Sequence, residues 1–185
     1  GDRGVEGKIA VIKHCREQKI PYLGLCYGMQ LQVVEYARNA AQLPSAHTAE
    51  VDPQTQYPVI DIMPEQKANI VNKNYGASMR LGNYTAKLKK GTVVHEAYGQ
   101  EEVVERHRHR YEVNPEYIEQ IEKAGLVFSG TSPEGKLMEF AELPKDKHPF
   151  FVGTQAHPEL ISRPLRPHPL FVAFIKAASE KVSSL

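Results

Sequence analysis

The feature that most constrains the fold is a short apolar segment between two helical patterns. Residues 21–25 read Pro-Tyr-Leu-Gly-Leu, which is typical of a buried parallel strand. Residues 5–19 before it carry apolar side chains at helical spacing, and residues 28–40 after it are helical again. A helix, a buried strand and a second helix with short links predict an α/β domain with a central, mostly parallel sheet flanked by helices.

The remaining segments predict a smaller antiparallel β portion and two more helices. Strand patterns occupy residues 57–63, 81–88, 102–110, 126–129, 137–143 and 150–156. Helical patterns occupy residues 115–123, with Asn114 as the cap, and residues 169–181. The turn formed by Thr131-Ser132-Pro133-Glu134-Gly135 predicts a hairpin between residues 126–129 and 137–143.

Composition and charge exclude several classes of protein. The 185 residues fit one domain, and 23 basic against 22 acidic side chains give a net charge of +1, so no global field attracts nucleic acid or an anionic membrane. Cys15 and Cys26 are too few for a disulfide framework, which predicts a reducing, cytoplasmic location. The chain opens at Gly1 without Met and soon enters a helix, so we expect a domain truncated at its N-terminus.

One cysteine has the sequence frame of a catalytic nucleophile. Cys26 stands where the predicted strand turns into a helix, with Gly24 and Gly28 two residues to either side, the G-x-C-x-G form of a nucleophile elbow. The helix N-terminus favours a thiolate and is expected to lower its pKa, and the N–H of Tyr27 is placed to bind an oxyanion. The alternative is a buried structural thiol. Cys15 lacks this frame and is predicted to be a packing residue.

One histidine is the best candidate for the base that such a thiol needs. His157 ends the apolar strand pattern at residues 150–156, and the carboxyl edge of a parallel sheet is where α/β folds place their sites. Glu159, two residues later, can orient the imidazole and fix its tautomer. The alternative for His157 is an ordinary surface loop residue.

A dense run of charge, Glu-Arg-His-Arg-His-Arg-Tyr at residues 105–111, is the third feature. In a strand, Arg106, Arg108 and Arg110 face one way and His107 and His109 the other. One of the arginines can bind a carboxylate with two hydrogen bonds. Acidic neighbours argue against nucleic-acid binding, and the sequence shows no metal-binding spacing and no nucleotide-cofactor motif.

These motifs together resemble a known family. The elbow and the later His157-Pro158-Glu159 resemble the triad-type (class I) glutamine amidotransferases. The resemblance narrows to the glutaminase domains of CTP synthases through residues 3–7, 78–82, 105–114 and 168–171, and it spans essentially the whole chain.

The resemblance implies a reaction and a set of roles. Cys26 attacks the carboxamide of L-glutamine to give a γ-glutamyl thioester and ammonia, while His157, oriented by Glu159, handles the protons. The positions that match the family's glutamine-binding residues are Gln30, Glu50 and Arg110. A carboxylate at Glu50 suits an α-ammonium group, and a guanidinium at Arg110 suits an α-carboxylate.

The resemblance also implies partners outside this chain. The domain itself uses no cofactor, and its ammonia passes to a synthetase domain of the same protein, absent here, where ATP and Mg²⁺ support the conversion of UTP to CTP. GTP is the allosteric activator, with residues 3–7 in the implicated region. Full-length proteins of the family form homotetramers through the synthetase half, so the fragment alone is expected to be monomeric.

The sequence departs from the family pattern at three places. The glycine-rich oxyanion loop would end at Gly1, so we expect the fragment to lack the second oxyanion donor and to hydrolyse glutamine poorly. Ala156 replaces the usual aromatic residue before the triad histidine. Residues 64–76 form a shorter stretch than the family leads us to expect.

Two rival functions stay open at this point. The first is a stand-alone γ-glutamyl hydrolase or another class I amidotransferase, neither of which needs the run at residues 105–114. The second is a catalytically silent domain kept for assembly or regulation. Retention of Cys26, His157 and Glu159 argues against the silent domain.

Overall fold

The computed structural model describes residues 3–63 and 79–183. Within that part the helices are Val5–Glu17 (α1), Tyr27–Asn39 (α2), Val93–Tyr98 (α3), Pro115–Lys123 (α4) and Pro169–Ser183 (α5). The strands are Tyr22–Leu25 (β1), Ala46–Thr48 (β2), Tyr57–Asp61 (β3), Arg80–Leu88 (β4), Glu102–His109 (β5), Glu112–Val113 (β6), Val127–Thr131 (β7), Met138–Glu142 (β8) and Phe151–Thr154 (β9). A 3₁₀ turn covers Pro158–Leu160.

The strands form two sheets. The larger has six strands in the order β1-β9-β8-β7-β4-β5, and the smaller has the order β2-β3-β6. The predicted α/β class, with helices flanking a central sheet, is confirmed. The parallel portion is smaller than predicted, because in the larger sheet only the β1–β9 pair of the described strands is parallel. The links β7–β8 and β8–β9 are shorter than a parallel crossover requires, so these pairs are antiparallel.

The predicted elements appear close to their expected bounds, and the missed ones are short. The hairpin between residues 126–129 and 137–143 is confirmed by the antiparallel pairing of β7 with β8. Asn114 caps α4 as predicted, since its side chain accepts from the N–H of Glu116. The helix α3 and the strands β2 and β6 were not predicted. The expectation for residues 64–76 lies outside the described residues.

Two hydrophobic cores cover the two faces of the larger sheet. Alternation along β9 shows this directly, because Phe151 belongs to the core beneath α1 and α2, whereas Val152 belongs to the core beneath α3 and α5. β9 is therefore buried on both faces, so polar side chains that serve a site can lie only at its ends. No helix in the described part of the chain is both long and apolar enough to cross a membrane.

The turn between β1 and α2 is unusually close. A Cβ atom at Gly24 would lie 2.7 Å from the backbone carbon of Gly28 and 2.7 Å from the hydroxyl of Tyr22. The Tyr22 hydroxyl donates to the carbonyl of Gly28 at 2.9 Å, which fixes this approach. Gly24 is therefore required by sterics. Gly28 is less constrained, because a Cβ there would meet only the Tyr22 hydroxyl, at 3.4 Å.

A buried ionic cluster joins β4, β6 and β8 behind this turn. The Arg80 guanidinium donates to both carboxylate oxygens of Glu139, at 2.7 and 3.2 Å, and also to Glu112 at 3.3 Å. The side chains of Glu139 and Glu112 are 1% and 0% exposed. Burial raises the pKa of Glu112 to about 8, so this carboxyl is mostly protonated at neutral pH and Glu139 balances the Arg80 charge.

We expect Gly24→Ala to lower the free energy of unfolding by about 1–3 kcal/mol, because the new methyl group overlaps backbone that cannot move cheaply. Gly28→Ala is the matched control. Its methyl group makes an ordinary contact and alanine favours a helix over glycine, so its stability should be unchanged or slightly higher. Urea denaturation measures both variants. Equal losses of unfolding free energy in the two variants would show that the close backbone approach is not what requires glycine at position 24.

We expect Arg80→Met to lower the free energy of unfolding by about 3–5 kcal/mol, because it leaves two buried carboxyl groups without their cation. The control is Lys90→Met, which breaks an exposed ion pair with Glu101 (2.7 Å). This substitution should leave the free energy of unfolding unchanged within experimental error. Urea denaturation at pH 7 compares the two. An Arg80→Met variant as stable as the wild type would contradict an ionic role for the cluster.

Candidate active site

Cys26 occupies the sharp turn between β1 and α2. Its backbone N–H donates to the carbonyl of Thr154 at 2.7 Å, which continues the β1–β9 pairing one residue past the strand. Its φ of 50° lies in the left-handed region, which costs a non-glycine residue about 1–3 kcal/mol. This strained strand-to-helix turn confirms the predicted elbow geometry.

Burial controls the electrostatics of the thiol. It raises the pKa of Cys26 to about 11, although the N–H of Tyr27 and the side chain of Gln155 act in the opposite direction. The negative charge of Glu159 raises the pKa further. The N–H of Tyr27 at the start of α2 does act to lower this pKa, as expected, but burial outweighs it, so the net shift is upward. At neutral pH the sulfur is therefore a thiol, and its attack on a substrate requires a base.

His157 and Glu159 form a close pair at the same edge of the sheet. They follow β9, whose Thr154 is in register with Leu25 of β1, the residue before Cys26. The Nδ1 of His157 lies 2.6 Å from the carboxylate of Glu159, and its backbone N–H donates to the carbonyl of Arg106 at 2.8 Å. Since an ionised carboxylate can only accept, Nδ1 carries the proton and Nε2 is left as the basic nitrogen.

A cavity of about 270 Å³ opens beside Cys26. The predicted site residues in its walls are Cys26, Tyr27, Gln30, Glu50 and Arg110. His157 and Glu159 are not part of these walls. Glu50 and Arg110 carry opposite charges near Tyr111, where burial and Glu50 raise the pKa of the hydroxyl and Arg110 lowers it. The cavity therefore offers one anionic and one cationic group beside a thiol, at a size suited to a ligand smaller than a typical drug.

The strand β5 divides its charged residues as predicted. Arg106 and Arg108 are exposed, whereas His107 and His109 are buried. Burial and the Arg80 charge lower the pKa of His107 to about 2 and that of His109 to about 3, so both imidazoles are neutral. Arg110 follows the end of β5 and lines the cavity.

Gln155 is a site residue that the sequence analysis missed. It is fully buried, and its side-chain Nε2 donates to the Cys26 sulfur at 3.8 Å. Its Oε1 accepts from Gln30 Nε2 at 3.4 Å, and Gln30 Nε2 also donates to the carbonyl of Tyr111 at 3.0 Å. A polar residue inside the apolar run at residues 150–156 is the signal that would have revealed it.

The other features considered as candidates add no residue to this site. Cys15 lies within α1, and burial raises the pKa of its thiol. A larger groove of about 590 Å³ is lined mainly by apolar residues of α1 and α2 and does not include Cys26. Among the residues that the structure describes, no group of three or more His, Cys, Asp or Glu side chains could hold a metal ion.

Comparisons with known proteins agree with this geometry. A family model described as glutamine amidotransferase class-I matches residues 1–177. A CTP synthase of Saccharopolyspora erythraea is 59% identical over 181 residues, which are 97% of this chain and 32% of that protein. A CTP synthase of Bacillus subtilis is 57% identical over 180 residues, covering 97% of this chain and 33% of that protein. The chain thus spans about a third of the length of these curated relatives.

Solved structures show the same relationship. The glutaminase domain of Trypanosoma brucei CTPS with bound acivicin is 36% identical with a TM-score of 0.89, covering 97% of this chain and 68% of that one. A putative GMP synthase protein of Thermoplasma acidophilum shares the fold, with a TM-score of 0.58 at 13% identity, covering 98% of this chain and 69% of that one. The chain therefore belongs to the class-I glutamine amidotransferase family, as a glutaminase-type domain of the CTP synthase kind.

Proposed function

We propose that this domain hydrolyses L-glutamine to glutamate and ammonia through a thioester on Cys26. The observation that carries the proposal is the β1–β9 register, which brings the strained Cys26 elbow and the His157–Glu159 pair to one edge of the sheet. Membership of a glutamine amidotransferase family supports the choice of substrate.

The first chemical step transfers a proton from the thiol to the imidazole. Because burial keeps the pKa of Cys26 near 11, attack on the carboxamide carbon is coupled to proton uptake by His157 Nε2. Glu159 stabilises the imidazolium that forms. The imidazolium then protonates the departing nitrogen, and ammonia leaves. Water attacks the thioester while His157 takes its proton, the bond from carbon to the Cys26 sulfur breaks, and glutamate leaves as that proton returns to the sulfur.

The cavity orients the substrate for this attack. Both N–H groups of the Gln30 carboxamide are directed to Tyr111 and Gln155, so Gln30 offers its oxygen to a ligand. That oxygen and the Glu50 carboxylate suit the α-ammonium of glutamine, and Arg110 suits its α-carboxylate. The N–H of Tyr27 directly follows the nucleophile in the chain and binds the oxyanion of the tetrahedral intermediate.

We propose further that the ammonia serves a synthetase domain of a longer protein. The matched relatives are CTP synthases about three times as long as this chain, which supports such a partner. In that arrangement ATP, with Mg²⁺, drives the amination of UTP to CTP, GTP activates the glutaminase, and the full-length protein assembles as a homotetramer. The relatives also favour this function over a stand-alone γ-glutamyl hydrolase.

We expect Cys26→Ala in the full-length protein to reduce glutamine-dependent CTP formation at least about 10³-fold, since no other group replaces the nucleophile. CTP formation from added ammonium should be retained, because that reaction bypasses the glutaminase. The matched control is Cys15→Ala, which should be active and should still be labelled by acivicin at Cys26. Undiminished glutamine-dependent activity of Cys26→Ala would instead indicate a silent domain.

We expect Glu159→Gln to lower kcat for glutamine hydrolysis about 10- to 150-fold. This factor of about 10 to 150 corresponds to the free energy of one hydrogen bond to a charged group. The amide keeps the shape of the side chain but stabilises the imidazolium poorly, so kcat should fall with little change in KM. Steady-state ammonia release measures both constants. A change confined to KM would contradict the role given to Glu159.

A further inference from the structure

A chain of hydrogen bonds runs from the wall of the cavity to the sulfur. It begins at the backbone carbonyl of Tyr111, passes through the carboxamides of Gln30 and Gln155, and ends at Sγ of Cys26. Gln30 and Gln155 are 2% and 0% exposed. The two carboxamides are therefore largely shielded from water.

The first member of this hydrogen-bond series fixes which groups donate and which accept. A backbone carbonyl can only accept, so the Gln30 nitrogen must face Tyr111, and the same NH₂ group then donates to Gln155 Oε1. With its oxygen committed to Gln30, Gln155 must present its NH₂ group to the sulfur of Cys26. Neither carboxamide can be flipped without placing like groups together. The sulfur therefore always receives an N–H donor.

We propose that Gln155 is a positioning residue that donates its side-chain N–H to Cys26 and so favours the thiolate over the thiol. The inference rests on the proposed role of Cys26 as the nucleophile. A neutral donor suits this position because Glu159 places negative charge near the sulfur. An N–H donor opposes that charge without adding an ion that the buried site would have to solvate.

Other titratable groups share the cavity with the sulfur. The remaining titratable side chains of the cavity walls are Tyr27, Glu50, Arg108, His109, Arg110 and Tyr111. His157 lies at the same sheet edge and is the proposed proton acceptor. None of them occupies the position of Gln155, whose backbone N–H is held by the carbonyl of Glu139 at 2.9 Å.

Two substitutions at Gln155 separate this role from simple packing. Gln155→Met removes the donor at similar size. Gln155→Glu keeps the shape of glutamine but places a carboxylate oxygen against the sulfur. We expect the rate of Cys26 alkylation by iodoacetamide at pH 8 to fall about 10- to 100-fold in Gln155→Met and further in Gln155→Glu, because the rate follows the thiolate fraction.

The measurement uses the full-length protein and quantifies alkylation of the peptide that contains Cys26 by mass spectrometry. The matched control is Gln32→Met, another buried glutamine, whose Nε2 donates to the carbonyl of Phe151 rather than to sulfur. Its alkylation rate should equal that of the wild type. Rates for the two Gln155 variants should rise with pH in parallel with the wild type, displaced to higher pH.

Three results would overturn the proposal. These are equal rates in all variants, a Gln155→Glu rate at or above that of Gln155→Met, and a Gln32→Met loss as large as those at Gln155. Alkylation needs no glutamine, so it is separable from the proposed function. If the alkylation rates of the variants follow the expected order but the wild type releases no ammonia from glutamine, only the glutaminase proposal is refuted.

Discussion

The parallel pairing of β1 with β9 is the constraint on which the site depends. Leu25 is in register with Thr154, and the N–H of Cys26 extends the pairing by one hydrogen bond of 2.7 Å. A shift of one residue would turn the side chains of the shifted strand to the opposite face of the sheet and remove its apolar residues from the cores in which they pack. The hydrophobic burial of these strands thereby fixes where Cys26 and the His157 segment emerge, and the elbow strain is carried by the packing around it.

The polar interior behind the site is organised around a single backbone carbonyl. Tyr111 accepts from Gln30 at 3.0 Å on the cavity side and from His109 at 3.1 Å on the side of the buried cluster. Its two lone pairs thus join the cavity-lining Gln30 to the Arg80 cluster. Because His109 is neutral and donates through Nδ1, its Nε2 must accept from His107, at 2.9 Å. The orientation of the Gln30 carboxamide and the tautomers of His109 and His107 follow from that carbonyl.

The sequence predicted the local features of the site but not its long-range contacts. The elbow at Cys26, the strand before His157 and the two-faced pattern of β5 follow from short-range rules of turn geometry and alternation. The antiparallel majority of the larger sheet depends on strand order, and the Arg80–Glu139 pair joins distant segments, so neither is visible in a local pattern. The pKa of Cys26 was mispredicted because a helix N-terminus is evident from sequence, whereas the depth of burial is not.

The central claim is that the Cys26 sulfur carries the glutamyl group during turnover. Acid-quenched samples of the full-length protein, taken while it hydrolyses glutamine, can be digested and analysed by mass spectrometry. The account predicts a base-labile glutamyl adduct on the peptide that contains Cys26, with none on the peptide that contains Cys15. Ammonia release without any adduct on Cys26, or with an adduct on Cys15, would contradict it.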